Sequence, residues 1–317
     1  MKKTLLLVSL ILSVTFAGAQ TSYKTVADAE KGVAKAKAAT EDAKKAVKPA
    51  TWISYADALV GAYDQPAGNV LVGTPQTEMK VILREQKILS TTSEKASGTD
   101  YVVDHYSDKN LFYNATSGLL EFYLVTKPAM EGDLLKDAQD ALLKASELDV
   151  KGSKKEDIAN KMIAIHDRMF NEGLGNYFTG NYAVASKLFE GAVNCAATPV
   201  LGQTDSTNCY HTALVSNLAG DKKKAIEYYQ KCIDIKFYQD GNVFSNLAAI
   251  YMAEGDTTKG KQALEKGFEL NPQSQGVLVG LINLYRATGE DPQHLFDLLH
   301  TAQKNEPGNA SLYYVEG

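Results

Sequence analysis

The sequence predicts a mainly α-helical solenoid of helix-turn-helix units, with a small antiparallel β-meander inserted in its N-terminal unit. Three observations carry that expectation. First, a glycine followed five residues later by a small residue, then a bulky one, then another small one recurs through the second half of the chain. The series runs Gly180, Ala185, Phe189, Ala192; Gly220, Ala225, Tyr229, Cys232; Gly255, Gly260, Leu264, Gly267; and more loosely Gly289, His294, Leu298, Thr301. Self-similarity at a nearly fixed period is the signature of stacked repeats, each unit burying its apolar face on the next. Second, between residues 66 and 130 the pattern changes to short runs rich in valine, tyrosine and phenylalanine, bounded by turn residues. Third, the two halves of one further unit flank that stretch: Trp52, Tyr55, Ala56 and Leu59 before it, Ala138, Leu142 and Ala145 after it.

Taken in order, Lys2 and Lys3 precede a run without charges from Thr4 to Phe16, followed by Ala17-Gly18-Ala19. That is the form of a secretory leader over 1–19, too short and wrongly flanked to span a bilayer. No cysteine lies near the expected cut, so the spacing predicts a soluble, exported, periplasmic protein and not a lipid-anchored one. Residues 20–50 predict a capping helix: Thr25 to Val47 is rich in alanine and lysine, with Ala36, Ala39, Ala43 and Ala46 on one face. Residues 51–150 hold the split first unit. Within its insertion, Asn69 to Val72, Glu78 to Leu83, Asp100 to Tyr106, Asn110 to Asn114 and Leu119 to Val125 read as strands, and Ser90 to Thr99 as a polar loop. Asn114-Ala115-Thr116-Ser117-Gly118 and Ser107-Asp108-Lys109 read as turns between strands. A sheet this small needs a helix against one face.

Residues 151–317 form the repeat array. Phe244, Leu247, Ala248, Tyr251, Gly255, Gly260, Leu264 and Pro272 give its clearest unit, and Leu278, Leu281, Tyr285, Gly289 and Pro307 follow the same order, with Ile282 and His294 at positions usually small. Met169, Gly173, Gly180 and Ala185 open an earlier unit, and Cys209, Ala213 and Gly220 the one between. Small residues let antiparallel helices approach, large ones fill the grooves beside them, and glycine permits the left-handed turn that ends the first helix. Asn309 to Gly317 looks like the opening of one more unit, with Tyr313 and Gly317 at its large and small positions, so a longer parent protein is expected.

This order of residues resembles the tetratricopeptide repeat, a helix-turn-helix unit of about 34 residues. The resemblance covers most of the chain after Lys48. It implies a concave groove lined by the first helices of successive units, holding a peptide or a segment of another protein. Carried onto this chain, the inward positions are Phe170 and Tyr177, Tyr210 and Asn217, Asn242 and Ser245, and Asn283 and Arg286. Aromatics and amides there would grip a backbone by stacking and paired hydrogen bonds. Arg286 alone is available of the cations with which some members clamp a terminal carboxylate.

The formal charge of −5, more negative once Lys2 and Lys3 are removed, argues against nucleic acid or an anionic membrane as partner. No segment after the leader is apolar enough to span a bilayer. His294, Asp297 and His300 suggest a metal at first sight, but two residues six apart on a helix point in divergent directions. His105 and His166 stand apart from nucleophile or metal motifs, and no Walker, zinc-protease or nucleophile-elbow pattern is present. A non-enzymatic protein without cofactor or metal is expected. Asp205-Ser206-Thr207 and Asp256-Thr257-Thr258 look like O-glycan acceptors of some exported bacterial proteins, and equally like a polar loop and an inter-helix turn.

Cys195, Cys209 and Cys232 allow at most one internal disulfide. Cys195 closes one predicted helix and Cys209 opens the next, which leaves two readings: a staple between them, or three small core residues. The leading functional expectation is an exported protein-interaction scaffold. A structural subunit of an envelope assembly, or a glycan or cell-wall binder using exposed aromatics of the insertion, are the alternatives.

Overall fold

A computed structural model describes residues 22–289, 293–305 and Gly308. The leader and the C-terminal half-unit expected from the sequence lie outside these residues. The chain divides into two compact units, one ending at Asp205 and the other starting at Ser206.

The first unit opens with α1 (Val26–Glu41), capped by Thr25, whose hydroxyl oxygen accepts from the Asp28 N–H at 3.1 Å. Ala29 and Val33, one turn apart, are the buried face of α1 and pack toward α2 (Pro49–Asp64). The expected alanine face is therefore corrected. The helix stops before Ala43, which is exposed, because Asp42 turns the chain by accepting from the Lys44 and Lys45 N–H groups. Pro49 starts α2 without losing a needed donor, and Trp52 Nε1 donates to the Ala46 carbonyl at 2.7 Å, fixing the entry angle.

α2 packs on α4 (Leu134–Leu148), although residues 65–133 separate them. Ala56 and Ala138, both almost wholly buried, let the two backbones approach, while Leu59 and Leu142 fill the flanks. The two halves of the interrupted unit thus come together as a helical pair.

The insertion contains a helix as well as strands. α3 (Gln76–Ile82) precedes β1 (Ser90–Ala96), β2 (Thr99–His105), β3 (Lys109–Asn114) and β4 (Leu120–Val125), which pair in sequence order as an antiparallel meander. Three expectations fail here. Glu78 to Leu83 is not a strand: Met79 and Leu83, four residues apart, form the buried face of a helical turn against the sheet. Nor is Ser90 to Thr99 a loop; it holds β1 and a tight turn through Ser97 (φ 47°) and Gly98 (φ 90°), the left-handed pair that a two-residue hairpin requires. Asn69 to Val72 forms turns rather than a strand.

One face of the sheet buries Leu111, Tyr113 and Leu120 against Met79 and Leu83. The other buries Tyr101, Val103, Phe112 and Phe122, with Phe112 and Phe122 stacked at 4.4 Å and Phe178 tilted onto Phe122 at 5.5 Å. Two charged side chains are wholly buried in the insertion. Asp104 accepts from Gln76 Nε2 at 3.0 Å and Thr91 Oγ1 at 2.6 Å, joining α3 and β1 to β2. Lys109 Nζ donates to the Pro66 carbonyl at 2.7 Å and to Asp108 at 2.9 Å, holding the chain that leaves α2.

α5 (Lys155–Phe178) and α6 (Tyr182–Ala196) complete the first unit. A Cβ at Gly173 would lie 2.8 Å from the Phe189 ring, and one at Gly191 would lie 2.9 Å from Met169 Sδ, so each helix offers a gap to a large residue of the other. The long α5 reaches the insertion through Gly175, where a Cβ would sit 3.0 Å from Leu124.

Among the described residues of the second unit, α7 (Ser206–Leu218) pairs with α8 (Lys222–Asp234) and α9 (Asn242–Ala253) with α10 (Thr257–Leu270), followed by α11 (Gln275–Thr288) and α12 (Gln293–Asn305). Asp221 and Asp256 follow the turn glycines and cap α8 and α10 at 3.0 Å, which accounts for Asp256-Thr257-Thr258 as helix-start chemistry. Gly260, Gly267 and Gly280 each stand where a Cβ would meet Met252, Phe244 or Leu264 at 2.5–2.6 Å.

Candidate functional site

In the first unit, α2 and α5 lie side by side and run parallel. Lys161 Nζ donates to Asp57 at 2.6 Å; one heptad on, Arg168 holds both carboxylate oxygens of Asp64 at 2.9 and 2.8 Å. A constant register along both helices produces these two rungs. Tyr63 then donates to Glu172 at 2.6 Å. Burial raises the Glu172 carboxyl above its ordinary value, against the opposing pull of the Tyr63 hydroxyl. Tyr123 of β4 closes the cluster; burial, and the charge of Asp64 acting against that of Arg168, push its phenol to about 12. These groups answer one another's charge and hydrogen bonds, so the arrangement is a joint between repeat and insertion.

His166, half-buried on α5, lies 3.0 Å from Asp167 and 2.8 Å from Asp205. Burial opposes its charge, but hydrogen bonds to both carboxylates outweigh that penalty and raise it to about 9. A protonated imidazolium therefore fastens the segment following α6 onto α5.

On the sheet, His105 Nδ1 lies 2.9 Å from Asn110 Oδ1 and its Nε2 lies 2.8 Å from Thr92 Oγ1. This connectivity resembles an activated hydroxyl, but Thr92 also donates to Glu94 at 2.8 Å and has one proton to give. The group joins β1, β2 and β3 at the open edge of the sheet. Among the described residues, no cluster of three or more His, Cys, Asp or Glu is placed to hold a metal. The side chain of His294 lies outside them.

The groove positions expected from the sequence divide between the units. In the first, Phe170 is half-buried with its ring 6.1 Å from Phe189, and Tyr177 is half-buried beside Phe178 and Tyr182. In the second, Tyr210 is corrected from a groove residue to a seam residue: it is 5% exposed, edge-on to Tyr229 at 6.0 Å, and its hydroxyl accepts from Asn246 Nδ2 at 3.4 Å. A large ring between small-residue helices is drawn into the seam, where its apolar area leaves water. Asn217, Asn242 and Ser245 are partly exposed, and Asn283 and Arg286 are exposed.

The first helices α7, α9 and α11 are neighbours in this unit. Their open positions include three apolar residues that the sequence reading missed: Leu218 (46% exposed), Ala249 and Val279 (53% exposed). Val279, Asn283 and Arg286 lie one turn apart along one face of α11. The signal that could have found them is an apolar residue out of phase with the buried positions of its own helix. The lining is thus aliphatic and amide with a single cation, not aromatic. In the insertion, Tyr101, Tyr106, Phe112, Tyr113 and Phe122 are all buried and Tyr123 is half-buried in the joint with α2 and α5, so these aromatics do not form the exposed platform expected of a glycan binder.

Cys195, Cys209 and Cys232 are all buried thiols in this structure. Cys195 donates to the Met162 carbonyl at 3.4 Å and is pushed by burial to about 12, while Cys209 shares a hydrogen bond with Cys232. Each thiol finds its partner within its own unit.

The tetratricopeptide repeat family model matches residues 208–238 and 242–274. Among curated proteins, the chain is 28% identical over 86 residues to "Photosystem I assembly protein Ycf3" of Prochlorococcus marinus, strains NATL1A and NATL2A, covering 26% of this chain and 50% of each relative. The chain spans about half the length of these curated relatives. Among solved structures, YrrB, described as a TPR protein with an unusual peptide-binding site, aligns with a TM-score of 0.34 and 16% identity over 57% of this chain and 83% of its own. The APC/C hetero-tetramer Cut9–Hcn1 aligns with a TM-score of 0.33 and 11% identity over 92% of this chain and 47% of that one.

Proposed function

We propose that this chain, which carries tetratricopeptide repeats at residues 208–238 and 242–274, is an exported, non-enzymatic scaffold that holds an extended protein segment against the first helices of its repeats. The observation that carries this reading is the exposed row Val279, Asn283 and Arg286 on α11, an apolar, amide and cationic sequence along one helix face. Such a row offers a peptide an aliphatic contact, a paired backbone hydrogen bond and a counter-charge for a carboxylate. The curated relative is named an assembly protein, and a scaffold that gathers a partner's segment is consistent with that role. Export rests on Lys2-Lys3, the apolar run after them and Ala17-Gly18-Ala19.

The test is cross-linked pull-down from the native envelope with the wild-type chain and the double variant Val279→Glu, Arg286→Glu. The expected result is a set of partners recovered by the wild type and lost by the variant, with matching far-UV spectra and melting curves. Unchanged recovery by the folded variant overturns the groove reading. Export is checked separately by the N-terminal peptide of the mature protein, expected to begin at Gln20.

A further inference from the structure

We propose that Cys209 and Cys232 are a dithiol pair that closes to a disulfide as the second unit folds in an oxidising milieu, stapling the start of α7 to the end of α8. The two residues lie at opposite ends of antiparallel helices, so the Gly220 turn brings them to the same level. They share a hydrogen bond and are buried, with Cys209 5% and Cys232 0% exposed.

The following repeat measures the same place independently. In its register Phe244 stands where Cys209 stands, and Gly267 where Cys232 stands. There a Cβ at Gly267 would lie 2.6 Å from Phe244 Cβ. Two real side chains in that geometry must spread slightly, toward the Cβ separation of roughly 3.5–4.5 Å that a disulfide spans. The small-residue position that lets the helices approach is thus also a bridging position when both residues are cysteine.

The oxidant is a disulfide, of the kind an oxidising compartment supplies. Cys209, as thiolate, attacks one sulfur of it, forms a mixed disulfide and releases one thiolate. That thiolate takes the Cys232 proton, and Cys232 then attacks Cys209 Sγ and releases the second. Two protein thiols are oxidised, one disulfide is reduced to two thiols, and the protons end on the leaving groups. In the closed fold the bond to Cys209, together with burial, keeps Cys232 protonated, so oxidation belongs to the stage before α8 settles on α7. Cys195, buried elsewhere and engaged with the Met162 carbonyl, has no thiol partner in its own unit and serves as an internal control.

The full chain is unfolded with reductant, refolded in a buffer of oxidised and reduced glutathione, blocked with N-ethylmaleimide under denaturing conditions and cleaved before aspartates. Cuts at Asp205, Asp221 and Asp234 place the three cysteines on separate peptides. The expected result is a linked pair of the Cys209 and Cys232 peptides, with Cys195 carrying maleimide. The linked form should melt about 5 °C or more above the same protein kept reduced. Cys209→Ser and Cys232→Ser should each remove both the link and the redox-dependent shift. Refolded wild type with maleimide on both Cys209 and Cys232, or a link to Cys195, overturns the proposal without reference to either variant.

Discussion

Arg168 grips Asp64 through two hydrogen bonds of 2.9 and 2.8 Å, joining a helix that precedes the β insertion to one that follows it. Both side chains are less than one third exposed, and Arg168 also donates to the Ala164 carbonyl at 2.8 Å, which aims its guanidinium. The pair fixes the register of α2 on α5 at the edge where Tyr123 of the sheet arrives.

Removing one member leaves the other charge partly buried without its counter-ion. Arg168→Ala should lower the stability of the first unit by about 3 kcal/mol, and Arg168→Lys by about 1–2 kcal/mol, since an ammonium cannot reproduce the planar two-pronged contact. Trp52, the single tryptophan, sits on α2 and reports the transition by fluorescence in urea. Equal midpoints for Lys and wild type would show that the two-pronged geometry contributes nothing.

His166 predicts a pH dependence of the same unit. Its folded value, about 9, lies above the ordinary 6.5. The folded state therefore binds the proton more tightly, so this contribution is complete below about pH 6.5 and is lost as pH rises through 9. The loss should not exceed about 3 kcal/mol. Denaturant midpoints at pH 6 and 9.5 should diverge for wild type and converge for His166→Gln.

The rhythm of small and large residues made the repeat units legible because close helix packing permits few residue types at those positions. Gly267 against Phe244, and Ala56 against Ala138, meet as that rhythm requires. The insertion was legible where a strand carries buried aromatic and aliphatic residues, as β2, β3 and β4 do. β1 escaped because Ser90 to Glu94 are exposed on both faces, which erases alternation, and α3 escaped because a seven-residue apolar-and-polar stretch ending in Val81 and Ile82 is too short for its period to tell helix from strand. The α2–α5 rungs were not legible at all. They join residues 104 positions apart, and no local pattern announces which carboxylate an arginine will meet. Tyr210, taken for a groove residue, is buried for a different reason: sequence offsets name a helix face, but not how deeply a large ring sinks between helices.

Glu172 is a carboxyl raised by burial. A group whose folded value is raised stabilises the fold in its acid form and counts against it once ionised, so the sign is opposite to that of a surface ion pair. Glu172→Gln keeps an oxygen for the Tyr63 hydroxyl and removes the buried charge. It should match or exceed wild type in melting temperature at pH 7, with the difference vanishing at pH 4. Tyr63→Phe, which strips the carboxylate of its donor, should cost about 1–3 kcal/mol.

Two glycines of the second unit separate backbone preference from packing. Replacing a mid-helix glycine by alanine favours the helix by about 1 kcal/mol, so the outcome depends on what the new methyl meets. At Gly280 it would come 2.5 Å from Leu264 Cδ2, the tip of a side chain that can rotate away; at Gly267 it would come 2.6 Å from Phe244 Cβ, an atom fixed to the backbone, with Val277 Cγ2 at 3.0 Å behind. Gly280→Ala should therefore fall within about 1 kcal/mol of wild type, the helical gain offsetting the displaced leucine. Gly267→Ala should be destabilising by about 1–3 kcal/mol, because relief requires the two helices themselves to part. Thermal melts of the two variants followed by circular dichroism decide the point, and equal losses would mean that overpacking here is absorbed by helix movement and not by side-chain rotation.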